Sequence, residues 1–589
     1  MCTLCSDVGR RAVLGGSLAA VAGAILPASP AAAEQPAAAQ PVAARAAPPD
    51  TIYHGGHVVT MAHHGRTAEA IAVRDGRIVA VGSDRRIRRL ATADTTLVDL
   101  RGRTVLPGFV DAHSHAPYPG LVRLYYADLS SPPVGAVTDI ASLVSALKGK
   151  ADTASAGDWV RGWGYDQTLL AEGRHPTAAD LDRASGTLPI WAAHTNGHMG
   201  VANSVALRLA GITKDTTNPP GGVIDKDPAT GEPTGLLQEA AQGLVARLQP
   251  GFTPAQLTAG AKATSDLYTA AGVTTSVIAG GGADLYAALG AWRKSGVIGF
   301  RSLLMLSGDP LAGLPLPEGT GDEWVRVSGF GESVYDGSIQ GYTGYLTKPY
   351  HKLTGGLPAG YRGYTNYSPD VLKARVDKLY ADGYAIRIHG NGDAAIDDLL
   401  DAYESAITKH GRRDHRLRIE HAQTAREDQL DRMRRLGVQA SFFVSHTYYW
   451  GDQHRDIFLG PERARRISPL RSARDHRYSL HLDSPVVPQS PLQAVWSAVN
   501  RITRSGKVLG PEQRVTPLRA LRAVTIDAAW QHFEEHSRGS VEPGKLADLV
   551  VLAENPLTVR PHEIKDIQVL RTIVGGRTVH TARPEKDAP

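Results

Sequence analysis

Cysteine is almost missing from this sequence. Its 589 residues hold two, Cys2 and Cys5, and both precede Ala31-Ala32-Ala33, a small-residue segment with the form of a signal-peptidase site. A mature chain cut there has no thiol. It can form no disulfide, and any metal it holds must be bound by His, Asp, Glu or Lys. Blocks of one charge sign are missing too: 64 Lys and Arg stand against 59 Asp and Glu, and the net +5 is spread along the chain. Nothing here forms the basic stripe of a nucleic-acid-binding protein. Long apolar runs are also lacking. The best candidate, Ala12 to Leu26, is short and rich in Gly and Ala for a bilayer span. What remains is a soluble globular composition, 42% hydrophobic and 21% charged, long enough for a large core and more than one structural unit.

The N-terminus reads as a targeting segment. Arg10-Arg11 stand before the apolar stretch, which leads to the Ala-x-Ala site. Paired arginines in that place suggest twin-arginine export, with an N-terminal membrane anchor as the alternative. Residues 1–33 are therefore expected to be a signal peptide, and the Ala- and Pro-rich residues 34–50 a disordered linker. The expected location is extracytoplasmic.

Residues 104–115, Thr-Val-Leu-Pro-Gly-Phe-Val-Asp-Ala-His-Ser-His, organise the rest. An apolar run of this kind suits a parallel strand buried on both faces. Residues two apart on a strand share a face, so His113 and His115 can grip one ion at its end. A bare pair of histidines is more often structural, but the chain beyond repeats the pattern. Strand-like and helix-like stretches alternate through the centre, which argues for a parallel α/β fold. Helices are expected over 254–271, 368–382, 394–410 and 426–436. Strands are expected over 272–278, 300–306, 325–335, 384–389, 417–421, 438–443 and 478–483. With the opening strand these make eight, the number a (β/α)8 TIM-like barrel needs. Residues 120–255 then form a long insertion after the first strand, with Trp159 to Asp166 and Pro189 to His194 as strand-like parts. Short β-like runs over 51–103 and 538–589 read as two halves of one small β-sandwich beside a barrel of residues 104–537.

Several strands end in groups that bind metals. His389 ends Ile386-Arg-Ile-His, His421 ends Arg418-Ile-Glu-His, and Asp483 ends Leu480-His-Leu-Asp. Imidazole and carboxylate suit zinc and related divalent ions. Together with Leu106-Pro-Gly-Phe-Val-Asp-Ala-His-Ser-His, Pro220-Gly-Gly-Val-Ile, Asp336-Gly-Ser, His389-Gly-Asn-Gly-Asp, Arg418-Ile-Glu-His-Ala-Gln, Asp483-Ser-Pro-Val and Gly539-Ser-Val-Glu-Pro-Gly-Lys-Leu-Ala-Asp, these residues make the sequence recognisable. It resembles the amidohydrolase superfamily, and within it the amidohydrolase family 3 branch that includes enzymes like N-substituted formamide deformylase. The resemblance covers nearly all of the chain after residue 50.

The resemblance implies roles. His113 and His115 look like first-strand ligands, His389 and His421 like fifth- and sixth-strand ligands, for one or two divalent ions, with zinc foremost. Asp483 looks like the eighth-strand aspartate that takes the proton of the attacking water and passes it to the leaving nitrogen. A bound ion lowers the pKa of its water toward about 7. Many relatives carry on the fourth strand a lysine that is carboxylated to bridge two metals. Here Glu332 takes that place, either as a direct bridge or as the buried partner of an arginine. Lys348 lies beyond the strand and ranks below it. His198, in Asn196-Gly-His-Met, and His446 are candidate pocket donors. Glu420 is a candidate acceptor orienting His389 or His421. Glu239 reads as structural. Trp163, Tyr165 and Tyr448 to Trp450 either line an apolar pocket or pack the core.

The reading is a secreted hydrolase of a non-peptide C–N bond, an N-acyl or N-formyl amide, working by metal-activated hydroxide. Cyclic amide opening or deamination on the same centre is the alternative within the class, and an idle binding protein the alternative outside it. The intact ligand set weighs against the last. The partners expected are a small-molecule amide and the twin-arginine export machinery, with a homodimer left open. Nucleic acid is not expected, nor stable membrane association once the signal is removed. If the export reading holds, replacing Arg10 and Arg11 by Lys strands the protein in the cytoplasm, as cell fractionation would show; unchanged secretion would reject that route.

Overall fold

The computed structural model describes residues 47–62, 67–354 and 356–582; the expected signal peptide and most of the linker lie outside the described residues. Eight parallel strands form the central sheet: Phe109–Ser114, Val273–Ala279, Arg301–Leu306, Val325–Val334, Ile386–Gly390, Arg418–His421, Gln439–Phe442 and Ser479–Leu480. They pair in chain order. The first and eighth strands meet without a ladder, but the His115 N–H donates to the Ser484 carbonyl at 3.1 Å, so the sheet is a nearly closed barrel. The α/β barrel read from the sequence is the fold.

The helices follow from their ends. Pro254–Ala270 starts at Thr253, which accepts from the Gln256 N–H in a capping box, and carries Pro at its first position. Pro369–Ala381 is capped by Ser368, whose side chain accepts from the Val371 N–H, without a capping box. Glu427–Leu436 stops at Gly437, whose φ of 77° suits a left-handed C-cap. Asp393–His410 runs between the fifth and sixth barrel strands. Among the described residues no helix is long and apolar enough to cross a membrane.

The opening run, read as one strand, is two. Thr104–Pro107 pairs with Leu549–Leu552 and His57–Val59 in a six-stranded sheet, while Phe109–Ser114 enters the barrel. The break falls at Gly108, where a Cβ would sit 2.1 Å from the Thr274 side chain, so only glycine lets the chain pass. A second sheet of Thr51–His54, Ala70–Arg74, Arg77–Gly82 and Thr96–Asp99 packs on the first. Their shared core draws on both ends of the chain: Tyr53, Ile71, Val73 and Val105 meet Val541, Leu549, Val551 and Ile573.

The insertion carries its own six-stranded sheet, ordered Gly222–Lys226, Pro233–Glu239, Met199–Ala202, Ile190–His194, Val160–Tyr165 and Ala127–Asp128. It is entered through the helix Tyr118–Tyr125, packed tightly on Pro254–Ala270. A Cβ on Gly120 would lie 2.0 Å from the Gly260 carbonyl oxygen.

A buried ion pair ties barrel to sandwich. Arg301, on the third barrel strand, donates from Nε to Asp548 Oδ2 at 2.7 Å and from Nη2 to Oδ1 at 3.1 Å. Asp548 directly precedes the strand Leu549–Leu552. Removing one partner leaves the other charge buried without its counterion, at a cost of about 3–5 kcal/mol. Asp548→Ala is therefore expected to lower the free energy of chemical denaturation by that amount; an unchanged denaturation midpoint would show the pair to be dispensable.

Candidate metal centre

The barrel strands bring six groups together at their C-terminal ends. Glu332, on the fourth strand, sits in the middle. Its Oε1 lies 2.9 Å from His389 Nδ1 and 3.2 Å from His421 Nε2. Its Oε2 lies 3.5 Å from His113 Nε2 and 4.0 Å from His115 Nε2. Asp483 Oδ1 closes the far side, 2.9 Å from His115 Nε2 and 3.4 Å from His113 Nε2. All six residues are nearly or fully removed from solvent.

Two are held in backbone conformations that L residues rarely adopt: φ is 65° at His421 and 56° at Asp483. Each costs on the order of 1–3 kcal/mol, and such strain collects at active sites. It also explains why the eighth strand, expected over 478–483, is only Ser479–Leu480. The chain leaves the ladder to turn Asp483 toward the histidines.

The donor set fits divalent metal ions. Three triads, His113-His115-Glu332, Glu332-His389-His421 and His113-His421-Asp483, each offer ligand atoms within 4.8 Å of one another. His389 Nδ1 and His421 Nε2 face each other at 3.1 Å while both face Glu332 Oε1. A tetrahedron with ligand bonds of about 2.0–2.1 Å has edges of roughly 3.3 Å, close to these separations. One carboxylate oxygen turned to each histidine pair is the arrangement of a bridge. Glu332 therefore stands among four imidazoles, not against an arginine, and Lys348 is exposed outside the site.

The electrostatics agree. Burial pushes the Glu332 carboxyl up, but the charge of His113 and hydrogen bonds from His113, His389 and His421 hold it well below the usual carboxylate range. Burial likewise opposes the charge on Asp483, and hydrogen bonds from His113 and His115 outweigh it and keep the carboxylate ionised. For His389, burial disfavours protonation, yet its hydrogen bond to Glu332 raises it to about 9.

The surrounding residues sort differently from expectation. Glu420 accepts from His113 Nδ1 at 3.2 Å, so it orients His113, not His389 or His421. Its other oxygen takes the Nε–H of buried Arg418 at 2.7 Å. Glu239 is buried, and both its oxygens lie 3.0 Å from His198 Nδ1. That pair places the His198 ring 5.0 Å from the His389 ring. His198, Glu239 and Glu332 line one cavity of about 270 Å³, which Ser333, Asn366, Tyr367 and Arg375 also border. His446 is caged by Phe443, Trp450 and His454, and burial with the neighbouring His454 and His421 keeps it neutral. Tyr165 packs in the insertion core against His175 and His194. Trp163 stacks edge-on to Tyr118. Tyr449 and Trp450 border a small cavity of about 40 Å³ beside Pro485 and Val486. His481, which sequence reasoning passed over, meets His421 Nδ1 at 3.0 Å. It stands two residues before Asp483, and that spacing was its available signal.

Residues 96–580 match the amidohydrolase family. The chain is 30% identical over 544 residues to the N-substituted formamide deformylase of Arthrobacter pascens, covering 90% of this chain and 97% of that one. It is also 30% identical over 549 residues to the protein LONG AFTER FAR-RED 3 of Arabidopsis thaliana, covering 90% and 91%. Among solved structures, an uncharacterized metal-dependent hydrolase from Pyrococcus horikoshii OT3 superposes with a TM-score of 0.68 at 23% identity, over 87% of this chain and 99% of that one.

The geometry makes the candidate ligands distinguishable. His113→Ala or His389→Ala is expected to lower bound metal, measured by elemental analysis of the purified protein. Glu332→Gln is expected to reduce two ions toward one and to regain part of the loss in excess divalent metal. Full wild-type stoichiometry in Glu332→Gln would reduce Glu332 to a structural role.

Proposed function

The chain belongs to the amidohydrolase family of metal-dependent hydrolases, and from that membership we propose that it cleaves a non-peptide C–N bond in a small N-acyl or N-formyl amide. The observation that carries this reading is the placing of Glu332 between two histidine pairs with Asp483 opposite. His113, His115 and Asp483 would hold one ion, His389 and His421 a second, with Glu332 shared. A divalent metal, zinc foremost, supplies a lowered water pKa near 7 and polarises the carbonyl.

The residues of the chain do the rest. Asp483, an ionised carboxylate at the rim of the centre, takes the proton of the attacking water and delivers it to the leaving nitrogen. His198 lines the cavity that reaches Glu332 and is the proposed donor to the substrate carbonyl. Its Nδ1 lies 3.0 Å from Glu239, which fixes the orientation of the ring. His446, neutral and enclosed by aromatic rings, serves as a wall or weak donor on the other side. The likeness to N-substituted formamide deformylase supports a formyl or small acyl group on nitrogen. We further place the enzyme outside the cytoplasm, on the strength of Arg10-Arg11 and the Ala31-Ala32-Ala33 site.

The test is a panel of N-formyl amines, N-acyl amines and cyclic amides with zinc-loaded enzyme, read as amine or carboxylate release. N-formyl or N-acyl compounds are expected to have the highest kcat/KM. Asp483→Asn is expected to lose at least about 10²–10⁴-fold in turnover while keeping most of its metal. Turnover confined to ring opening or ammonia release would reject the substrate class, and an active Asp483→Asn would reject the proton carrier.

A further inference from the structure

The helix Pro369–Ala381 buries Leu372, Val376, Leu379 and Tyr380. These positions form one stripe at helical spacing. Arg375 stands on that stripe, three residues after Leu372 and four before Leu379, where an apolar side chain would be the ordinary choice. Its guanidinium lies over the Tyr367 ring, 4.5 Å from the centroid, and borders the cavity that His198 and Glu332 also line. The Tyr367 hydroxyl and Ser333 Oγ are 2.7 Å apart, so the ring under the guanidinium is tied to the residue after Glu332.

The protein does not fill the needs of this guanidinium. Its Nε is buried and has no hydrogen-bond partner. Its ion pair with Asp309 Oδ1 spans 3.8 Å, and Asp309 is half exposed. The same Asp309 oxygen accepts from the Leu311 N–H at 3.2 Å to cap the next turn. So long and open a pair contributes little. The Tyr367 hydroxyl is its other polar neighbour. Among the described residues no carboxylate meets the planar fork with two parallel bonds, the arrangement in which a guanidinium holds an anion best.

The rest of the cavity is already matched. Glu239 faces His198 at 3.0 Å, and Glu332 faces four imidazoles. Arg375 is the one guanidinium or ammonium on the wall. The volume of about 270 Å³ equals roughly nine waters at about 30 Å³ each. A small molecule with its amide at the Glu332 end therefore has its other end in the same space as Arg375.

We propose that Arg375 is a specificity-determining residue that binds a carboxylate of the substrate, so that the preferred compound is a small amide carrying a carboxylate and not a neutral amide. This rests on the hydrolase reading above and narrows it. The carboxylate accepts from the guanidinium fork, and the Tyr367 face keeps that fork in place. The competing role for Arg375 is packing alone, pinning its helix to the turn Pro310–Ala312 through Asp309.

The test uses zinc-loaded mature enzyme and two matched pairs of substrates. N-acetylglycine against N-acetylglycinamide puts the carboxylate on the amine half and is read as acetate release. N-methylsuccinamate against N-methylsuccinamide puts it on the acyl half and is read as methylamine release. The wild type is expected to prefer the carboxylate member of one pair by at least about tenfold in kcat/KM, the worth of a hydrogen bond to a charged group. The pair that shows the preference locates the carboxylate. Arg375→Met is expected to abolish it, chiefly through KM, and Arg375→Lys to keep part of it, because lysine retains the charge without the fork. Asp309→Asn is expected to keep or increase the preference; a loss matching that of Arg375→Met would show packing and overturn the proposal. A second readout needs no turnover: ligand-observed NMR of levulinate and of its neutral isostere 5-methyl-2-hexanone, ketones with no C–N bond to break. Arg375→Met is expected to weaken levulinate relative to the neutral ketone by at least about tenfold. No carboxylate preference in either pair, or the same preference in Arg375→Met, would overturn the proposal. A wild type that cleaves none of the four amides yet binds levulinate through Arg375 would overturn the hydrolase reading and uphold the anion site.

Discussion

The structure depends on one buried carboxylate. Glu332 lies at the centre of a barrel otherwise filled with apolar and hydrogen-bonded groups, where an isolated charge would cost several kcal/mol. It stays ionised because four imidazoles converge on its two oxygens. The converse also holds: four rings with neighbouring centroids 4.5–5.3 Å apart need a negative partner or a cation among them. The barrel supplies the geometry by ending four separate strands in these groups, and distortion at His421 and Asp483 completes it.

The layers around the centre divide the work. The sandwich made from both chain ends is anchored to the third barrel strand by the Arg301–Asp548 pair and leaves the catalytic end clear. The insertion covers that end. Its strand Met199–Ala202 pairs with Pro233–Glu239, which puts Glu239 beside His198, and Gln242 Nε2 reaches the Gly197 carbonyl at 3.3 Å to brace the same turn. A segment more than eighty residues beyond His113 and His115 therefore supplies a wall of the cavity. Below the ligands, Arg418, Glu420, His481 and Gln531 form a polar floor in which nearly every donor has an acceptor, the condition under which buried polar groups rigidify a site.

Much of this was legible in the sequence because the barrel repeats itself. His113, His115, His389 and Asp483 stand before Gly- or Pro-marked loops and His421 ends Arg418-Ile-Glu-His, so these candidate ligands announce themselves locally. Glu332 was found by its place before Asp336-Gly-Ser. The less legible features depend on long-range pairing. Glu239 gains its partner only when two insertion strands meet antiparallel, and no local pattern brings residue 239 to residue 198. Glu420 is expected from its neighbours to orient His389 or His421, but alternation puts its side chain on the opposite face from His421, where it reaches His113 across the barrel. The division of the opening run at Gly108 was hidden for a similar reason: both halves are apolar, and only the tight approach to Thr274 shows that the chain changes sheets there.

The proposed bridge sets one Glu332 oxygen on each of two ions. Crystals of the mature enzyme grown with zinc, measured on both sides of the zinc absorption edge, test it directly. Two anomalous peaks are expected, one beside His113, His115 and Asp483 and one beside His389 and His421, with Glu332 Oε2 on the first and Oε1 on the second. A single peak, or two peaks bridged by another group with Glu332 turned away, would contradict it.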